Sequence, residues 1–278
     1  MNRYIPFILV LGYMVLSVQS SWASGEKRYL SKETWDRTLD KIEQIYSQVL
    51  APKGLGFKVD KYWDYDEANA TVGRDDTSWK IIMLAGYTLH PEVTSDVIAL
   101  VACHEMGHHL GGTAFYKEGL TWATVEGQAD YYATLKCMRR YYEGSDSRKE
   151  LRGQTVPEVV RQKCSQAWES GDEKFQCMRS AVAALKLMKI HFEEDQKSNL
   201  QKREFKLSFS TPSRETVTKT VVSYPSDQCR LDTLFQGALC TVDHRIETDD
   251  RDPSQGTCSE KTGLLGTRPN CWYAGSRE

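Results

Sequence analysis

Two histidines four residues apart with a glutamate beside the first, His104-Glu105-Met106-Gly107-His108, are the part of this 278-residue chain best suited to chemistry. On a helix such a pair shares one face, so both imidazoles can reach a single metal ion. Glu105 lies about 100° round the helix from His104, where its carboxylate can bear on a water at that ion. This is the arrangement used for zinc-assisted hydrolysis.

A third ligand is available further on, in Glu126-Gly127-Gln128-Ala129-Asp130. Three protein ligands leave one coordination position open, as catalysis requires, whereas structural zinc sites close with four. Asp130 lies one helical turn beyond Glu126 and is placed to accept the proton on the far nitrogen of a ligand histidine, which fixes its tautomer. The expected set is therefore His104, His108 and Glu126 around one Zn²⁺ per chain, Glu105 as general base, and Asp130 orienting a ligand. His109 falls about 140° from His104 and cannot share the ion, so it is expected in solvent or hydrogen-bonded nearby. His90, His191 and His244 have no companion motif and are expected to be structural. Tyr131, Tyr132, Tyr141 and Tyr142 fall at helical positions where packing is the default.

The elements that must position these residues are readable from periodicity. Leu39, Ile42, Ile45, Tyr46 and Val49 mark an amphipathic helix from Ser31 to Leu50, ended by Ala51-Pro52-Lys53-Gly54. Phe57–Trp63, Ala68–Gly73 and Trp79–Tyr87 read as strands, the last as the edge along which an extended peptide aligns. Thr94–Leu110 and Thr121–Tyr142 read as the two helices that carry the metal ligands. Pro157–Trp168 and Asp172 to about Gln196 form a helical pair around Gly171. Phe205–Phe209 and Thr216–Ser223 alternate like strands, and the last stretch is rich in Gly, Pro, Asp, Ser and Cys.

Charge and cysteines bound the context. Lys plus Arg number 36 against 38 Asp plus Glu, a net charge of −2 with no basic block, so nucleic-acid binding is disfavoured. Met1-Asn2-Arg3, the apolar run Ile5–Val18 and Ser21-Trp22-Ala23 together read as a secretory signal with cleavage after Ala23, the apolar run being too short for a bilayer span of roughly 20 residues. No later stretch is long and apolar enough to span, so the mature protein is expected to be soluble, secreted or periplasmic. All eight Cys lie beyond that point, and an even count in an exported chain reads as disulfides. Spacing suggests Cys164–Cys177 across the helical pair and Cys229–Cys240 and Cys258–Cys271 in the tail; Cys103–Cys137 follows by elimination only, and either fits a buried free thiol equally well.

The His104–His108 motif followed by Glu126-Gly127-Gln128-Ala129-Asp130 resembles the gluzincin metallopeptidases of the HtpX and CaaX-prenyl endopeptidase type, whose third-ligand motif is Glu-x-x-Ala-Asp. Asn69-Ala70 ahead of a strand follows the family's order, and Val222–Leu231 is similar to its later Thr-His-Pro-x-x-x-x-Arg-Ile segment. The resemblance covers roughly residues 31–235. The family's histidine before proline is Tyr224 here, its membrane helices are missing, and the eight Cys are unusual. The resemblance implies a zincin-like α+β fold with a small mixed sheet, two zinc-binding helices, a helical hairpin and a Cys-rich tail. With the signal and tail read from composition, the chain divides into a signal (1–23), a metallopeptidase domain (24–235) and a disulfide-tied tail (236–278). The activity implied is that of an exported zinc endopeptidase acting on protein or peptide substrates, with Glu105 as base and Tyr224 donating a hydrogen bond to the charged carbonyl oxygen. Two other readings fit the same residues: hydrolysis of peptidoglycan peptide cross-links, and a non-catalytic envelope assembly or binding protein.

Overall fold

A computed structural model describes residues 27–169, 171–198, 203–259 and 265–275. The signal segment and its cleavage point lie outside them. Among the described residues no helix is long and apolar enough to cross a membrane.

Ser31 opens α1 (Lys32–Leu50), its side-chain oxygen accepting from the Thr34 N–H that the first turn leaves unpaired. Trp35, Leu39, Ile42, Tyr46 and Leu50 repeat at helical spacing and are fully buried. They face β1 (Gly56–Tyr62) and α2 (Ser95–Leu110). β1 runs parallel to β3 (Ser78–Leu84), and β2 (Ala70–Arg74) pairs antiparallel with the other side of β3, in the order β1-β3-β2.

The sheet is small and mixed, as expected, but β3 is its centre rather than its edge. It ends at Leu84, where a 3₁₀ turn (Ala85–Leu89) takes over. Ile81 and Met83 give β3 a buried face that suits a strand paired on both sides, while the short β2, with Gly73 and Arg74, suits an exposed edge.

α2 is buried from Asp96 to His109. A helix enclosed all round must be apolar all round, and Val97–Cys103 supply that, carrying the histidine motif into the interior. Arg179 of α7 (Glu173–Ser198) fastens the first turn of α2 by two bonds to Asp96, at 3.0 and 2.7 Å. α3 (Glu126–Tyr132) continues through a π-helical stretch (Ala133–Cys137) into α4 (Met138–Tyr142). This helix begins at Glu126 and not at Thr121, because the Thr124 and Val125 N–H groups are taken by His108 and Ala114 carbonyls. After a short α5 (Ser147–Glu150), α6 (Glu158–Ala167) and α7 form the helical hairpin, joined by Cys164–Cys177. Cys103–Cys137 ties α2 to the π-helical stretch.

The C-terminal third differs most from expectation. Residues 205–209 and 216–223 form no strands; Val217 and Val221 donate to the Asn270 and Trp272 carbonyls of the tail. Asp227–Leu239 is a helix, α8, packed on α3 and α7, and the expected domain boundary at Phe235 falls inside it. The tail disulfides are Cys229–Cys271 and Cys240–Cys258, which replaces both expected tail pairings. Cys229 lies in the first turn of α8 and Cys240 caps its end. Eleven helical steps hold them about 16 Å apart, beyond the roughly 7 Å that a disulfide bridges.

Candidate metal centre

α2 and α3 meet at backbone distance because Gly107 has no side chain: a Cβ there would lie 2.6 Å from the Cα and carbonyl oxygen of Ala129. That approach sets Glu126, at the start of α3, against His104 and His108 near the end of α2. His104 Nε2 is 3.1 Å from Glu126 Oε2, and His108 Nε2 is 3.8 Å from Glu126 Oε1. The two imidazoles stand edge to face with centroids 4.8 Å apart.

The far nitrogens are committed elsewhere. His108 Nδ1 donates to the Thr124 carbonyl at 2.7 Å, and His104 Nδ1 to Asp130 Oδ1 at 2.7 Å. Carbonyl and carboxylate oxygens only accept, so both Nε2 atoms are left to face Glu126. Glu126 Oε2 is itself buried with no hydrogen bond directed at it. A buried carboxylate with one orphaned oxygen beside His104 Nε2 and its other oxygen 3.8 Å from His108 Nε2 is, with those two imidazoles, a donor set for a cation, and the residues fit a metal ion. Ligand atoms of His104, Glu105 and His108 also lie within 4.8 Å of one another, all three residues being buried.

Electrostatics favour positive charge at this point. Burial pulls the His104 imidazole down, but the Asp130 and Glu126 carboxylates outweigh it and hold it up at about 10. Burial and the neighbouring His104 charge push His108 down to about 4. Burial alone would raise Glu126, yet the His104 imidazole beside it brings it to about 2. Glu105 has no such partner bound to it, and burial raises its carboxyl to about 7, where a carboxylate can accept and release a proton near neutrality.

Sequence reasoning left two supporting groups without a role. Arg230, on α8, donates from Nε and Nη2 to both oxygens of Asp130 at 2.8 and 2.9 Å. Against the effect of burial, Arg230 and His104 hold Asp130 well below the ordinary carboxylate range, so it stays ionised behind His104. Its place in the Val222–Leu231 segment was the available signal. Tyr116, on the loop between α2 and α3, donates to Glu126 Oε1 at 2.8 Å. Nothing in the sequence singles out a lone loop tyrosine.

The centre opens into a cleft with two halves. One, of about 340 Å³, is lined by Ala70, Thr71 and Val72 of β2, by His108 and Glu126, and by Tyr116, Glu118, Leu120 and Ala123 of the loop. The other, of about 260 Å³, is lined by residues 68–70 and by Tyr87, Val101, His104, Leu187, His191 and Arg230. Ala70, Glu105 and Tyr224 line both, so Tyr224 stands at the junction, 66% exposed. His191, expected to be structural, is part of the cleft wall 3.5 Å from the Tyr87 hydroxyl, and burial lowers it to about 3, which keeps it neutral. His109 stays apart from the centre: its Nε2 donates to the Lys80 carbonyl at 3.1 Å. His90 pairs with Glu193 and His244 with Glu143. Tyr131, Tyr132 and Tyr142 are fully buried.

No protein-family model, curated protein or solved structure matches this chain.

Proposed function

We propose that the protein is an exported zinc-dependent peptide hydrolase on a zincin-like fold, of the gluzincin type that its two motifs resemble. The observation that carries this reading is the convergence of His104 Nε2, His108 Nε2 and the buried Glu126 carboxylate beside the buried Glu105. Zinc held by those three side chains supplies a Lewis acid for the scissile carbonyl and acidifies water to a pKa of about 7.

The chain's own groups do the rest. Glu105 takes the proton of the attacking water and passes it to the leaving amine. Tyr224, exposed at the junction of the two half-clefts, donates from its hydroxyl to the carbonyl oxygen as negative charge develops there. Arg230 holds Asp130, and Asp130 holds His104 in one tautomer. Substrate alignment falls to β2. Asn69 accepts from the Leu84 N–H and Asp75 donates to the Ser78 carbonyl, so with a period of two the main-chain groups of Ala70, Val72 and Arg74 point away from β3. Ala70 and Val72 line the cleft, where an extended peptide can add as a further strand. Four disulfides among the described residues support an oxidising, extracytoplasmic setting.

Metal content of the purified protein tests this reading. Wild type and Glu105→Gln are expected to carry one zinc per chain, and His108→Ala and Glu126→Ala to lose it. Full zinc in either ligand variant would show the ligand assignment to be wrong.

A further inference from the structure

Resting on the reading of the cleft as a peptide site, we propose that it is closed at one end and takes the amino terminus of a peptide, cutting within about three residues of that end rather than in the chain interior. The closure is an aromatic column. His109 is stacked between Trp79 of β3 and Trp122 of the loop, with ring centroids 5.0 and 5.2 Å away and planes 11° apart on both sides. The Arg74 guanidinium, at the end of β2, lies 4.1 Å from the Trp122 ring centroid and 5.4 Å from that of Trp79.

β2 forms one wall of the cleft through Ala70, Thr71 and Val72, and the loop forms the facing wall through Tyr116, Glu118, Leu120 and Ala123. Arg74 is two residues beyond Val72 on the first wall, and Trp122 is next to Ala123 on the second. Their contact joins the two walls. On the other side of Glu105 the cleft continues past Ala68 and Asn69 into the half lined by Leu187 and His191.

Ala70, Glu105 and Tyr224 line both halves, so the scissile bond belongs beside Ala70. The four steps from Ala70 to Arg74 span about 13 Å at roughly 3.3 Å per residue, which leaves room for about three residues of extended peptide before the column. A general tendency and one observation set the polarity. Antiparallel strand pairs are two- to three-fold commoner than parallel ones, and antiparallel addition to β2 puts the amino end of the peptide at Arg74. The exposed Glu118 carboxylate lines this closed half and is complementary to an α-ammonium group.

The test uses zinc-loaded Glu105→Gln protein and a randomised decapeptide library immobilised through either its carboxyl or its amino end. Carboxyl-linked peptides, whose amino ends are free, are expected to bind at least tenfold better. Acetylating those ends should remove most of the difference, and Glu118→Gln should make acetylation indifferent. Trp122→Ala, or the milder Arg74→Ala at an exposed position, should restore binding to the amino-linked library. Equal binding to both libraries by protein with the column intact, binding to neither, or preference for the amino-linked one, would overturn the proposal. Mass mapping of wild-type digests supplies the second arm, and cuts spread through peptide interiors would overturn it too. Amino-end binding by Glu105→Gln protein together with no hydrolysis by wild type would leave the closed cleft standing and remove the hydrolytic reading instead.

Discussion

Glu105 and Glu126 show how position separates two carboxylates of one centre. Glu126 is held near 2 by His104 and is fit to stay ionised against a cation, whereas burial lifts Glu105 to about 7, where it can carry a proton. Tyr224→Phe tests the third active group, because it removes only the donor. A fall in kcat of roughly a hundredfold, with KM and zinc content little changed, is expected, and a wild-type rate would make Tyr224 structural. Lys136 lies away from the centre and gives a prediction in stability. It is fully buried, its Nζ donates to the Asp243 carbonyl at 2.9 Å, and burial with nearby Arg139 and Arg140 lowers it to about 7. Between about pH 7 and the ordinary 10.5 the unfolded chain keeps the proton that the folded chain has released, so this group makes stability rise with pH across that window. Lys136→Met removes the penalty, and its gain in Tm over wild type should be largest at pH 6.5 and shrink towards pH 9.5. A gain that grows with pH would contradict the burial of a charge there.

Two helices were legible because their patterns are strong: α1 from its apolar stripe, and α2, which carries the histidines of the centre, from an apolar run leading into two histidines on one face. The order of the sheet was not, since the apolar pattern of β3 shows a buried face but not which strands pair with it. α8 carried its own signal in Leu231, Leu234, Phe235 and Ala238, obscured by a tail that otherwise reads as irregular. What periodicity could not give at all is the distance between helices, which Gly107 sets. Gly107→Ala would press a methyl group into the Ala129 backbone. It should cost about 1–3 kcal/mol in stability and weaken zinc binding, as read by denaturant titration and a chelator competition. Unchanged values would mean that α2 and α3 can part without disturbing the ligands.

At the scale of the molecule the tail is built onto the back of the centre. Trp272 packs against Gly127, where a Cβ would come within 2.3 Å of the indole. Arg268 donates to Gln128 at 3.1 Å, and Gln128 in turn donates to the Gly111 carbonyl at 2.8 Å. Cys229–Cys271 and Cys240–Cys258 fasten this layer to the two ends of α8, beside Arg230. Even cysteine number and composition were enough to expect bridges, but pairing depends on where α8 holds its two cysteines apart, which spacing alone does not reveal. Replacing both Cys229 and Cys271 by Ser should lower stability by about 2–5 kcal/mol, and peptide mapping without reduction should recover these two tail bridges and not Cys229–Cys240. The central claim, zinc-dependent hydrolysis with Glu105 as base, is tested most directly by titrating zinc into chelator-stripped protein while following cleavage of a peptide library. The rate should rise to a plateau at one zinc per chain, and Glu105→Gln should show the same stoichiometry with a rate lower by several orders of magnitude. A rate indifferent to zinc, or a Glu105→Gln protein as fast as wild type, would contradict that claim.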